Sequence, residues 1–259
     1  MTTISRKIHV VGSGGFIGSA IKRIAPEFDN ANIVYWGRKE PNHFDLLSPD
    51  SWNDLIAARP ECVVLLSWPG LPNYQETYHV TRNLSLSLQL VIQLVDNGVR
   101  RIIIAGTCYE YGLQNGELRE DLATQPVNQY AIAKDCLRKS VEAMAAQRQF
   151  EYGWLRIFYP FGEGQNPKSL LPSLDRSIER GDPTFEMSSG RQIRDFVPVE
   201  EVARHLLLLG THHLANGVYN SGSGIPRSLR EIAEARIQER ASQINLRLGV
   251  YPDRPDEPL

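Results

Sequence analysis

The feature that most restricts how this chain can fold is an alternation. Short apolar runs at Lys7–Val11, 33–36, 62–66, 101–105 and 153–157 read as strands, and each of the first four is followed by a stretch with helical patterning. Parallel neighbours in a sheet need a long crossover, usually a helix, so this spacing predicts an α/β fold with a doubly wound parallel sheet. No repeat, low-complexity tract or linker interrupts the 259 residues. The expected organisation is a large dinucleotide-binding domain over 1–158, rejoined by 195–221, with a small C-terminal substrate domain formed by 159–194 and 222–259.

One predicted helix differs from the rest. Across 81–97, Leu84, Leu86, Leu88, Leu90, Val91, Ile92, Leu94 and Val95 fall all around the helical circumference, whereas a surface helix confines its apolar residues to one stripe. Gly98 marks its end. Such a helix is buried on two sides, within one chain or between two copies, and periodicity does not separate these. A homodimer is the expectation carried forward. Asn83, at the start of the apolar stretch, is read as structural.

Composition excludes several classes of function. Hydrophobic residues make up 42%, charged residues 22%, and the formal net charge is -2, so no basic stripe is present to hold nucleic acid or an anionic membrane. The longest apolar runs fall far short of the roughly 20 residues of a bilayer span, and residues 1–7 lack the apolar core of a secretory signal. A cytoplasmic protein with a small-molecule partner is expected. Cys62, Cys108 and Cys136 are too scattered for a disulfide framework or a zinc site. The histidines His9, His43, His79, His205, His212 and His213 show no metal-ligating spacing, and His212-His213 reads as a polar turn after an apolar helix. No metal is expected.

Directly after the first strand comes Gly12-Ser13-Gly14-Gly15-Phe16-Ile17-Gly18, leading into an amphipathic helix. In the Rossmann arrangement the first glycine of such a loop allows the tight turn, the next lets backbone approach a pyrophosphate, and the last lets helix pack closely on strand. Position at the first strand of an α/β pattern makes dinucleotide binding the reading of Gly12, Gly14, Gly15, Phe16, Ile17 and Gly18. The second strand ends Tyr35-Trp36-Gly37-Arg38, where an NAD enzyme places an acidic residue for the ribose 2′-hydroxyl. Arg38, with Lys39, suits a 2′-phosphate instead, so NADP(H) is the preferred cofactor and NAD(H) the alternative.

Tyr130-Ala131-Ile132-Ala133-Lys134 places a phenol and an ammonium one helical turn apart on one face. A cation fixed beside the phenol lowers a pKa that starts near ~10 and makes Tyr130 a usable proton donor and acceptor. Thr107, just past the fourth strand, is placed to hydrogen-bond a substrate oxygen. Glu110, the one carboxylate close by, is read as supporting the site or lying at the surface, because Tyr130 already fills the acid/base role. Ser228-Leu229-Arg230-Glu231 is a helix capping box.

Together, the glycine loop, Thr107 with Tyr111-Gly112 four residues on, Pro126 before Tyr130, and Arg194-Asp195-Phe196-Val197 resemble the extended short-chain dehydrogenase/reductases that act on nucleotide sugars, over about 7–259. The resemblance implies that Thr107, Tyr130 and Lys134 carry the chemistry and that Asp45-Leu46 reaches the adenine. It further implies that Arg194 and Arg254 contact the nucleotide diphosphate. Tyr159 stands where many members have an asparagine that contacts the sugar nucleotide. Members that dehydrate hexoses carry Asp-Glu after the threonine, and here Cys108-Tyr109 stands instead. The run from Gly106 to Gly112 is similar to compact reductases of 4-keto-6-deoxyhexoses. The resemblance therefore implies NADPH-dependent reduction of the 4-keto group of a nucleoside-diphosphate 4-keto-6-deoxyhexose. A nucleotide-sugar epimerase that retains its cofactor is the nearest alternative, and a non-catalytic dinucleotide sensor is the alternative of another class.

Overall fold

The structure is a computed structural model that describes residues 7–28, 31–212 and 214–253; His213 and Arg254 lie outside the described residues. Seven parallel strands form the main sheet: β1 (Lys7–Val11), β2 (Asn32–Gly37), β3 (Asn42–His43), β4 (Cys62–Leu65), β5 (Arg101–Thr107), β6 (Glu151–Ile157) and β10 (Gly217–Ser221). Their order is β10-β6-β5-β4-β1-β2-β3. The reversal beside β1 gives a doubly wound Rossmann sheet, with its crevice at the carboxyl ends of β1 and β4.

Period-two alternation feeds two cores. Val11, Val63, Ile102 and Ile104 face α3 (Ser85–Asp96) and α4 (Gln129–Arg148), while Ile8, Val10, Val64 and Ile103 face α1 (Phe16–Ile24) and α6 (Val199–Thr211). A strand covered on both faces has no polar side, which is why 62–65 and 102–105 read as unbroken apolar runs. Short α2 (Asn53–Ala57) closes one edge through buried Leu55. Strands β3 and β10 went unpredicted: the first has two residues, and the second is a half-buried edge strand, Gly-Val-Tyr-Asn-Ser, without an apolar run.

The predicted helix over 81–97 is two pieces. A single π-helical turn, His79–Leu84, precedes α3, which buries Ser87, Leu90, Val91 and Leu94. Half-buried Leu84, Leu86, Leu88 and Val95 pack on the same core, so much of the broad apolar girth is used within the chain. The helix stops where expected: Gly98 takes φ +93°, donating to the Val95 carbonyl while Val99 donates to that of Leu94.

The remaining segments form smaller units beside the sheet. Strands β7 (Tyr159–Phe161), β9 (Ile193–Pro198) and β11 (Pro226–Ser228) make a three-stranded sheet. Helices α5 (Leu170–Arg180) and α7 (Leu229–Glu239) pack with β8 (Thr184–Glu186) and β12 (Asn245–Arg247) around Leu174, Met187, Ala233 and Ile244. The Ser228–Glu231 capping box forms at the start of α7.

Gly18 is the tightest point between α1 and the glycine loop. A methyl group there overlaps the backbone of Ser13. Gly18→Ala is expected to cost about 1–3 kcal/mol, as overpacking does, and to show as a lower urea midpoint at unchanged m-value. A midpoint equal to wild type would contradict this packing.

Candidate active site

The glycine loop is pinned to the ends of two strands. Gly12 and Ser13 both donate to the Trp36 carbonyl at 2.9 and 3.1 Å, and Ser13 Oγ donates to it at 3.2 Å. Gly12 has φ +90°, and a Cβ added there would stand 2.8 Å from the Ser67 nitrogen, so the residue type is required twice over. Gly15 precedes α1 in extended conformation, no side chain caps the helix, and its first turn has no acid. These are the conditions for an anion at a helix N-terminus, and the loop fits a dinucleotide pyrophosphate.

Beyond Arg38 and Lys39, the cations expected past the second strand, the structure also brings a carboxylate to the glycine loop. After Gly37 the chain turns back, Glu40 donating to the Gly37 carbonyl at 3.2 Å. The Glu40 carboxylate then lies beside Gly14, 3.6 Å from where a Cβ would be, and pairs with Lys22 of α1. Arg38 and Lys39 are exposed. A turn-forming Gly with Glu three residues on was the available signal. At the expected adenine end, Asp45 accepts from the Leu47 nitrogen at 3.0 Å, and Leu46 is buried in the core.

Thr107, Tyr130 and Lys134 come together from two elements. Thr107 ends β5 and the Ala105 backbone carbonyl lies two residues before it; Tyr130 and Lys134 are four apart on α4 and share a face. Lys134 Nζ donates to the Ala105 carbonyl at 2.8 Å, and the Thr107 hydroxyl bonds the Tyr130 phenol. The helix carrying the pair is capped by Asn128, whose Oδ1 accepts from the Ala131 nitrogen at 2.8 Å, and the Tyr130 nitrogen donates to the Tyr74 carbonyl. The Tyr130 and Lys134 side chains are both buried.

Their electrostatics differ from expectation. The Tyr130 phenol is pushed upward by burial, then by Tyr74 and Glu110, with the Thr107 hydrogen bond acting the other way. Burial brings Lys134 down to about 7 against the pull of Glu110. The Lys134 nitrogen turns to the Ala105 carbonyl and lies over the Trp68 ring, 4.0 Å from the centroid. Tyr130 is thus a neutral phenol, a proton donor in waiting.

Glu110 lies under this group, its carboxylate turned to protein donors. Fully buried, it accepts from the Thr107 nitrogen at 2.9 Å, from Trp154 Nε1 and from Arg156 Nε at 2.9 Å. Thr107 Oγ1 in turn accepts from the Tyr109 nitrogen at 3.3 Å, completing a capping box on the short turn Cys108–Tyr111. Predicted substrate residues Tyr159 and Arg194 meet each other, the guanidinium 5.1 Å from the ring centroid. Two tyrosines that sequence reasoning missed join them to Tyr130: Tyr159 to Tyr109 at 6.1 Å, Tyr109 to Tyr74 at 5.1 Å, Tyr74 to Tyr130 at 5.5 Å. In the sequence Tyr109 stands out only as a departure from a family pattern, and Tyr74 sits in a loop without periodicity. Among the described residues no cluster suits a metal, and no helix is long and apolar enough to cross a membrane. Glu110→Ala strands the Arg156 charge and is expected to destabilise by about 3–5 kcal/mol. Glu110→Gln, keeping the shape, should lose less; equal losses in thermal unfolding would contradict the ion-pair assignment.

Comparison with known proteins places these features. Residues 8–222 match the NAD dependent epimerase/dehydratase family. The chain is similar to the dTDP-6-deoxy-L-talose 4-dehydrogenase (NAD(+)) of Aggregatibacter actinomycetemcomitans, 25% identical over 95% of each chain. It is 27% identical to the GDP-6-deoxy-D-mannose reductase of Pseudomonas aeruginosa over 97% of this chain and 85% of that one. Among solved structures, RMD from Pseudomonas aeruginosa complexed with NADPH superposes with a TM-score of 0.81 at 22% identity, covering 97% of this chain and 88% of the other. The chain therefore belongs to the NAD dependent epimerase/dehydratase family and is an enzyme of the extended short-chain dehydrogenase/reductase type.

Proposed function

We propose that this enzyme uses NADPH to reduce the 4-keto group of a nucleoside-diphosphate 4-keto-6-deoxyhexose. The observation that carries the reading is the meeting of the Thr107 hydroxyl, the protonated Tyr130 phenol and the Lys134 ammonium at the carboxyl edge of the sheet. The site holds Cys108-Tyr109 where dehydration needs an acid and a base, and relatives spanning nearly the whole chain are named as 6-deoxyhexose 4-dehydrogenases or reductases.

The dinucleotide supplies the hydride. Everything else falls to the chain. Thr107 and Tyr130 converge on the keto oxygen, and Tyr130 protonates it as the carbonyl becomes an alcohol. Lys134 stabilises the phenolate left behind, which is why it must be charged. Tyr74, Tyr109 and Tyr159 line the way from Tyr130 to Arg194, which is assigned to the diphosphate. Arg254 is assigned a phosphate contact by resemblance alone. A homodimer belongs to the same reading, supported by half-buried Ile92 on α3, which is not among the residues packed on the core of the chain itself.

Two features bear on the cofactor. Arg38 and Lys39 offer cations to a 2′-phosphate, and Lys22 neutralises Glu40, so positive charge prevails there. Glu40 itself favours the second candidate, NADH, because a carboxylate beside Gly14 accepts from a 2′-hydroxyl. Arg38→Ala should lower NADPH selectivity over NADH by about tenfold or more, the worth of a charge-assisted hydrogen bond. Unchanged selectivity would assign the choice to Glu40.

Incubation with a nucleoside-diphosphate 4-keto-6-deoxyhexose should consume NADPH stoichiometrically, while product without net NADPH loss would mean an epimerase. Tyr130→Phe should lower kcat by at least ~10²-fold, as loss of a general acid does. A group whose charged form is needed and whose pKa is about 7 loses activity as pH rises through that value, so kcat/KM should decline on the alkaline side. A flat profile between neutrality and the lysine range would contradict the role of Lys134.

A further inference from the structure

Lys134, whose charged form the proposed chemistry needs, is only 4% exposed. Three groups enclose its ammonium: the Ala105 carbonyl at 2.8 Å, the Trp154 ring centroid at 6.0 Å and the Trp68 ring centroid at 4.0 Å. Ala105 and Trp154 belong to buried strands β5 and β6. Trp68 does not; it stands in the loop after β4 and is half-buried. Its ring also meets Tyr130 edge-on, centroids 6.0 Å apart at 70°.

That indole is itself held. Trp68 Nε1 donates to His79 Nδ1 at 3.0 Å, and His79 Nε2 lies 3.0 Å from the Asn73 carbonyl. An indole N–H can only donate and a carbonyl can only accept, so His79 is the neutral imidazole with its proton on Nε2. Asn83, buried in the π-helical turn with His79, donates to the Pro69 carbonyl at 2.8 Å and ties down the residue next to Trp68. None of these groups has a part in the chemistry described so far.

We propose that Trp68 is a positioning residue for the reduction: its indole face, fixed by His79, holds the Lys134 ammonium in register with Tyr130. The titratable groups around Lys134 are Glu110 from the turn after β5, His79 from the turn before α3 and Tyr130 on its own helix. His79 is neutral, Tyr130 is a neutral phenol, and the Glu110 carboxylate is committed to Arg156, Trp154 and the Thr107 nitrogen. Beside the Ala105 carbonyl, the π face of Trp68 is the nearer of the two ring faces at the ammonium, and it acts in a desolvated setting where such contacts are strongest.

The proposal rests on Lys134 belonging to the reacting group, and the test keeps the two apart. Lysine labelled with 13C at Cε allows Lys134 to be titrated by NMR without any dinucleotide, its signal assigned by loss in Lys134→Met. Trp68→Leu keeps an apolar cover and removes the π face; its Lys134 midpoint should fall by roughly one pH unit. The alkaline limb of kcat/KM should move with it. Trp68→Phe, which keeps a ring face, should hold the midpoint within a few tenths of a unit. Should Trp68→Leu not fold, Trp68→Met makes the same comparison. A midpoint in Trp68→Leu that stays or rises, or an equal fall in Trp68→Phe, would overturn the assignment of Trp68. Full activity in Lys134→Met would instead remove Lys134 from the reacting group, whatever the NMR titration shows.

Discussion

Strand β5 ends against the first turns of α4, and the group proposed to react is made from that one contact. The Ala105 backbone carbonyl and the Thr107 hydroxyl, at the end of the strand, meet two residues on one face of the helix, Lys134 and Tyr130. Helix periodicity aligns Tyr130 with Lys134, and the loop beyond β4 adds Tyr74 and Trp68 against them. The group's rigidity comes from below, where Glu110 bonds the Thr107 nitrogen and is paid for by Arg156 and Trp154 on neighbouring β6. A buried carboxylate is costly unless every lone pair is used, and here those uses run through the strand that carries the threonine.

The same contact explains why burial dominates the chemistry. With Tyr130 and Lys134 both enclosed, the phenol is held protonated and the ammonium is destabilised. A neutral phenol and a marginal cation suit a step that ends with a phenolate and needs its counter-charge only as the proton leaves. The expectation that Lys134 depresses Tyr130 from the start assumed two exposed groups on a helix face. It did not reckon with the carbonyl of β5 as the third partner.

What could be read in advance was local. The strand–glycine loop–helix unit, the i, i+4 spacing of Tyr130 and Lys134, the Gly98 stop and the Ser228 capping box each depend on a few consecutive residues. They lie where the patterns place them. Glu40, Tyr74, Tyr109 and Trp68 depend on where the chain returns, and no spacing announces that. Glu40 reaches the glycine loop through a turn after β2, and Tyr74 and Trp68 reach Tyr130 from the loop beyond β4. Edge strand β10 was missed for a related reason: half-buried on one side, it has none of the continuous apolar run that marks the central strands.

The central claim is that this site moves hydride to a sugar carbon while Tyr130 supplies the proton. NADPH carrying deuterium at its transferable position, incubated with a nucleoside-diphosphate 4-keto-6-deoxyhexose, tests it directly by mass spectrometry and NMR of the product. The account predicts one deuterium per product molecule, located at C4 of the sugar, with matching formation of NADP⁺. Product without deuterium at C4 would contradict it.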